Sequence, residues 1–181
     1  MKNCKFKIPE DLLKYLRLHG HVVAKRADET ADENSEGYSV GVYADDVFET
    51  LLLNMQPTFE DLSGVKLIPT YSYFRRYYKG AGLFKHLDRE SCEYSVTISL
   101  NSAEPETPWE IFIDEKPFKL EIGEGVIYKG MEQEHYRKSC PVKYSDHVFL
   151  HYVNANGNCK NFAYDLRKSL HTLSTTNIGD V

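Results

Sequence analysis

No stretch of the chain approaches the ~20 consecutive apolar residues that a helix needs to cross a bilayer. The first nine residues carry Lys2, Lys5 and Lys7 and no apolar run, so they do not read as a secretory signal. Cysteine is scarce: Cys4, Cys92, Cys140 and Cys159 stand 88, 48 and 19 residues apart. None belongs to a C-x-x-C pair, which excludes a zinc ribbon. Free thiols in a reducing compartment are the simpler expectation, and a soluble cytoplasmic protein follows. Internal repeats and low-complexity tracts are absent too, which argues against a solenoid or a disordered tail protein. Basic residues are outnumbered 22 to 27, giving a formal charge of −5. Such a balance gives no general pull toward nucleic acid or an anionic membrane, so neither is an expected partner.

What is present is tyrosine and histidine, 13 and 7 of them in 181 residues. Tyr favours strands and half-wet surfaces, and His favours metals and proton transfer. The length fits one domain with a single core. Its division is read as helical support over residues 1–60, a β core over 67–153 and a tail over 154–181.

Residues 8–20 (IPEDLLKYLRLHG) predict a first helix, with Pro9, Glu10 and Asp11 at its start and Gly20 as its stop. The acidic stretch 27–37 reads as a solvated loop. Asp45 and Asp46 cap a second helix over 47–55, where Phe48, Leu51, Leu52 and Met55 recur at helical spacing. After Pro57 the period changes to two. Residues 67–79 alternate, with Tyr71, Tyr73, Arg75 and Tyr77 on one face and Ser72, Phe74 and Arg76 on the other. Residues 94–100 (YSVTISL) form the clearest strand. Its Tyr94, Val96, Ile98 and Leu100 oppose Ser95, Thr97 and Ser99. Shorter strands follow at 109–113, 118–122 and 126–129, the first two joined by a turn at 114–117, and a strong one at 147–153. At least six strands without alternating helices predict a mainly β fold with flanking α, an antiparallel sandwich or barrel. A short helix near 163–170 and a loose end at 174–181 complete the reading. His19, His21 and His171 are read as surface residues, and His151 is unassigned.

The chemistry lies in GAGLFKHLDRE, residues 80–90. An H-x-D on an extended segment puts His86 and Asp88 on one face. Imidazole plus carboxylate is two-thirds of the 2-His-1-carboxylate triad that holds non-heme Fe(II) and leaves positions open. His135, 47 residues after Asp88, is the candidate third ligand. Between H-x-D and His135 lie only short antiparallel strands, the order of a double-stranded β-helix.

The segment RRYYKGAGLFKHLDRE resembles the iron-binding region of the Fe(II)/2-oxoglutarate-dependent oxygenases, and more narrowly their prolyl-4-hydroxylase-like branch. YSVTISLN matches the strand and turn after that motif, GEGVIYKGMEQEHYR is similar to the segment bringing the second His, and HVFLHYV resembles the closing strand. The likeness spans about residues 70–153. It implies a double-stranded β-helix, a jelly-roll or cupin-like barrel, supported by the N-terminal helices. It implies Fe(II) on His86, Asp88 and His135, with 2-oxoglutarate as cosubstrate and ascorbate as an accessory reductant. The activity implied is hydroxylation of an unactivated C–H bond with O2, first in a peptidyl proline, otherwise in a small amino-acid-like substrate. Asp88 in place of a small residue favours hydroxylation over halogenation.

One departure stands out. The family usually sets an Arg or Lys near the start of the last strand to pair the distal carboxylate of 2-oxoglutarate. Here His147 stands there. His147 is the candidate by position, and Arg137 or Arg76 by chemistry, because a guanidinium stays charged and binds a carboxylate with two donors. Tyr73 and Tyr77 are candidates for lining the cosubstrate pocket. Two other classes compete: a cupin-like barrel that binds metal or ligand without this chemistry, and a non-catalytic oxygenase-fold binding protein, which the missing Arg would favour.

Overall fold

A computed structural model describes residues 1–27 and 34–170. The centre of the acidic stretch, His171 and the end at 174–181 lie outside the described residues.

Two antiparallel sheets face each other. The larger contains β1 (Cys4–Lys7), β3 (Ser39–Tyr43), β4 (Leu67–Tyr78), β6 (Tyr94–Ser102), β9 (Glu124–Tyr128) and β11 (Tyr144–Asn154), in the order β1-β9-β6-β11-β4-β3. The smaller contains β2 (Ser35–Glu36), β5 (Gly82–His86), β7 (Ile111–Ile113), β8 (Lys116–Phe118) and β10 (His135–Arg137), in the order β2-β5-β10-β7-β8. This is the antiparallel barrel expected from the alternating strands, with the double-stranded β-helix arrangement that the motif order and the resemblance implied. Helices α1 (Glu10–Ala24) and α2 (Asp46–Ser63) cover the outer face of the larger sheet. Among the described residues, no helix is long and apolar enough to cross a membrane.

The alternation in β6 explains the layering. Tyr94, Val96, Ile98 and Leu100 join Leu13, Leu16, Phe48, Leu52 and Phe59 in the core between sheet and helices. Ser95, Thr97 and Ser99 are buried as well, on the opposite face. A strand covered on both sides, apolar toward the helices and polar toward the barrel, marks where an interior polar site sits. On β4, Phe74 stacks on Phe48 of α2 at 5.5 Å, while Tyr77 packs with Trp109 and Phe149 inside the barrel.

Several boundaries differ from expectation. Helix α1 runs through Gly20 to Ala24, because Gly20 is packed rather than terminal: a Cβ there would lie 2.8 Å from Leu100 Cδ2. Helix α2 is capped by Asp45, whose Oδ1 accepts from Val47 N and Phe48 N at 3.1 and 3.3 Å. It continues past Pro57 to Ser63. Pro57 is exposed, so the carbonyl it leaves without a helix partner stays near solvent, while fully buried Phe59 anchors the last turns. Gly64, at φ 75°, ends it in the left-handed conformation. No strand was expected before residue 67, yet β1, β2 and β3 extend the two sheets. The β7–β8 hairpin is tighter than expected: Asp114 and Glu115, at φ 48° and 64°, form a two-residue turn. The expected tail helix is a 3-10 stretch, Lys160–Leu166, broken by left-handed residues. His19, read as a surface residue, is half-buried and its Nε2 lies 2.6 Å from Asp45 Oδ1. All four cysteines are free.

Candidate metal centre

His86 closes β5, Asp88 follows two residues beyond it, and His135 opens β10. The antiparallel register places His135 directly opposite His86, and their ring centroids are 4.3 Å apart. Asp88 Oδ1 lies 3.5 Å from His86 Nε2 and 3.4 Å from His135 Nε2. One ligand atom from each of the three lies within 4.8 Å of the others. The sequence motif and the fold therefore bring the three expected residues to one point.

The tautomers of both imidazoles are set by their neighbours. His86 Nδ1 lies 2.8 Å from the Phe84 carbonyl, and His135 Nδ1 lies 3.0 Å from the Gln133 carbonyl. A carbonyl only accepts, so both Nδ1 atoms carry protons and donate. In the neutral rings both Nε2 lone pairs then aim at a carboxylate oxygen that also only accepts. Burial pushes the Asp88 carboxyl up; only with Nε2 of His135 and His86 protonated and donating is it held well below the usual range, so the cluster needs positive charge between the rings and the carboxylate. Three lone pairs meeting at one point repel unless a cation sits among them. A backbone carbonyl behind each metal-binding imidazole is the usual arrangement that orients it. The donor set of two nitrogens and one carboxylate oxygen suits a first-row divalent ion.

The second polar feature lies deeper. Arg137 shares a face of β10 with His135 and is only 2% exposed. Its Nη1 donates to the Trp109 carbonyl at 3.0 Å and its Nη2 to Thr97 Oγ1 at 3.2 Å. Its guanidinium also stacks 5.0 Å over the Trp109 ring. Its Nε has no partner, and no carboxylate among the described residues pairs with it. Burial lowers its pKa to about 10, which leaves it charged at neutral pH. An isolated buried cation costs several kcal/mol, of order 1–3 or more for each unmet donor alone. Such a group calls for an anion.

His147, the candidate by position, is fully buried beside Arg137. Burial and the nearby Arg137 hold its pKa well below the ordinary value, so it is neutral and offers no charge. Arg76 is on the outer face, where Nε and Nη2 grip Asp146 at 2.6 and 2.8 Å and the guanidinium covers Tyr144 at 4.3 Å. Tyr77 packs edge-on against Trp109 and His147 at 5.0 and 5.9 Å. Tyr73, half-buried, faces Phe149 at 6.4 Å. Both tyrosines thus lie on the inner face, as the alternation predicts.

The sequence reading passed over Phe84, 49% exposed at the β5 bulge where Leu83 opposes Arg137 and His86 opposes His135. It also passed over Tyr128, buried and edge-on to His135 at 4.8 Å. The period-two rule could have found Tyr128 but not Phe84, because the bulge breaks the alternation in β5.

No family model matches the chain, and no curated protein matches it by sequence. Solved structures do. A Pseudomonas putida prolyl-4-hydroxylase superposes with a TM-score of 0.66 at 16% identity, covering 84% of this chain and 92% of that one. A Trichoplax adhaerens prolyl hydroxylase, in complex with a hypoxia-inducible-factor peptide fragment, gives 0.66 at 11%, covering 84% and 83%. An α-ketoglutarate-dependent non-heme epimerase of nogalamycin biosynthesis gives 0.68 at 9%, covering 84% and 78%. At such identities the likeness establishes a shared fold.

Proposed function

We propose that this chain is an Fe(II)- and 2-oxoglutarate-dependent dioxygenase that hydroxylates an unactivated C–H bond. The observation that carries the reading is the pairing of two sites in one barrel. His86, Asp88 and His135 present three converging lone pairs, and Arg137 presents a buried charge with no counter-ion. A dicarboxylate that binds metal with one end and Arg137 with the other satisfies both. When bound, Fe(II) and 2-oxoglutarate supply the oxidation, with ascorbate as accessory reductant.

The residues supply placement. His86 and His135 hold their Nε2 atoms inward through Nδ1–H bonds to carbonyls. Asp88 supplies the anionic ligand. Arg137 offers its unpartnered Nε–H, and Thr97 a hydroxyl, to the distal carboxylate. The rings of Tyr77 and Trp109 wall that end from water, which strengthens a charge-assisted bond. Arg137 supports the catalytic reading over a non-catalytic barrel, since it offers a buried basic group where β11 has none.

The substrate proposed is a prolyl residue in a peptide. Two relatives in fold are prolyl hydroxylases, one of them with a peptide. Exposed Phe84 and Leu87 flank His86 and Asp88, offering apolar surface where an extended chain would lie. A cytoplasmic location is proposed with it, on the four free thiols.

Anaerobic addition of Fe(II) and then 2-oxoglutarate is expected to give a weak visible charge-transfer band, absent from His86→Ala. A wild-type protein without the band overturns the assignment. Mass spectrometry of prolyl peptides after aerobic turnover is expected to show a gain of one oxygen. A band with no oxygenated peptide overturns the substrate and leaves the oxygenase.

A further inference from the structure

The carboxylate of Asp88 has two oxygens, and the structure uses them differently. Oδ1 faces both imidazoles. Oδ2 accepts a hydrogen bond from Ser95 Oγ at 2.6 Å. Ser95 Oγ lies in turn 3.0 Å from His151 Nδ1. A serine hydroxyl has one proton. The carboxylate of a metal ligand only accepts, so that proton goes to Asp88, which is closer than the competing Cys92 carbonyl at 3.3 Å. His151 Nδ1–H must then donate to the serine oxygen.

The backbone fixes this chain of bonds. Ser95 on β6 and His151 on β11 are cross-strand partners, and His151 is also opposite Tyr71 on β4. The Tyr71 ring covers the His151 ring with centroids 4.5 Å apart, and His151 is only 6% exposed. From the other side, the Asp88 N–H donates to the Gly130 carbonyl at 2.9 Å. Asp88 is thus tied at its backbone and at one carboxylate oxygen, with the other oxygen left toward the metal position.

Resting on the metal-site reading above, we infer that Ser95 and His151 are positioning residues that hold Asp88 Oδ2 away from the metal and keep Asp88 a one-oxygen ligand. The consequence is a count of open positions. A triad of three single donors leaves three sites of an octahedral ion free, two for a chelating cosubstrate and one for dioxygen. A carboxylate that swung to bind with both oxygens would take one of them. The outer partners of metal ligands usually matter for affinity by ten- to hundred-fold.

The test is calorimetric titration of the full chain with Co(II), with visible spectra of the loaded proteins. Ser95→Ala and His151→Phe are expected to weaken Co(II) binding ten- to hundred-fold and to change the Co(II) bands. His151→Asn, which keeps a side-chain N–H near the Nδ1 position, is expected to restore most of both. Thermal unfolding of each variant separates misfolding from lost positioning. Should His151→Phe fail to fold, the one-atom change Ser95→Ala decides. Unchanged affinity and spectrum in Ser95→Ala overturns the relay while the metal site stands. A wild type that takes up no Co(II) overturns the metal site itself.

Discussion

Arg137 Nη2 and His147 Nδ1 lie 3.3 Å apart in the barrel interior, two basic side chains in contact with no acid between them. A guanidinium only donates, so Nδ1 of His147 accepts, and its Nε2–H donates to Ser145 Oγ at 2.9 Å. The histidine is therefore a neutral buttress. It takes the place at the start of β11 where a basic anchor is expected, and on the proposed reading the charge comes from Arg137 on β10 in the facing sheet.

Arg137→Met tests this division of labour. Truncating one partner of a buried charged pair costs about 2–5 kcal/mol, so 2-oxoglutarate is expected to bind at least ~30-fold more weakly. The same substitution removes an uncompensated buried cation. Replacing buried charge by a well-packed apolar group is often stabilising by about 1–4 kcal/mol, so the variant should unfold at higher urea. Titration of the charge-transfer band and urea denaturation measure the two effects. Undiminished 2-oxoglutarate affinity would rule Arg137 out as the anchor.

Gly130→Ala is expected to destroy metal binding. A Cβ at this position would collide with Asp88 Oδ2 and would lie 2.5 Å from both the Cys92 carbonyl oxygen and Ser95 Oγ. Two of these are the ligand and its hydroxyl partner, and the third is backbone that cannot turn aside. Co(II) affinity should fall by more than in Ser95→Ala, about a hundred-fold or beyond. Intact affinity would mean that the loop carrying Gly130 can retreat without moving Asp88.

Much of this site was legible before any coordinates. Period-two alternation in residues 94–100 separated the helix-facing apolar row from the polar row that now holds Ser95 and Thr97. H-x-D and the distant His135 named the three side chains that converge. The spacing of His135 and Arg137 already implied a shared face, but burial was needed to choose Arg137, because Arg76 differs only in facing Asp146 on the outside. His151 was left unassigned since parity gives its face and not its partner. Strands β1 to β3 were missed because they are short, two to five residues each, too few for the alternation in β1 to stand out. Pro57 misled because an exposed proline in α2 costs a hydrogen bond that packing of Phe59 outweighs.

Asp146→Ala should destabilise the fold and leave the metal centre alone. The Arg76–Asp146 pair is buried, with Asp146 fully so. Removing one member leaves a guanidinium uncompensated, which costs about 3–5 kcal/mol. Urea denaturation should show that loss, and Arg76→Met in the same chain should recover part of it. Co(II) and 2-oxoglutarate affinities are expected to stay within about two-fold, because the pair faces α1 and not the barrel interior. A large drop in 2-oxoglutarate affinity would instead return Arg76 to candidacy as the anchor.

The acid limb of stability should carry the signature of Asp165. Its carboxylate accepts from both Nη atoms of Arg89 at 2.7 and 2.9 Å, from Ser91 Oγ at 2.6 Å and from Tyr43 OH at 2.6 Å. Burial pushes its pKa up, but bonds from Arg89, Ser91 and Tyr43 prevail and hold it down to about 2, against an ordinary 3.8. These bonds also secure Tyr164, Asp165 and Leu166, three successive residues at φ 53°, 55° and 63°. Left-handed backbone costs roughly 1–2 kcal/mol per residue, so the turn depends on its anchor. A folded-state pKa below the unfolded one means stability that is present above 3.8 and lost as pH falls toward 2. Asp165→Asn should therefore be less stable than wild type at neutral pH, with the gap constant down to about pH 4 and closing toward pH 2. Urea unfolding of the two proteins across that range measures it. A gap that does not change with pH would show that the carboxylate's charge is not what holds the turn beside Arg89, the residue next to Asp88, the proposed metal ligand.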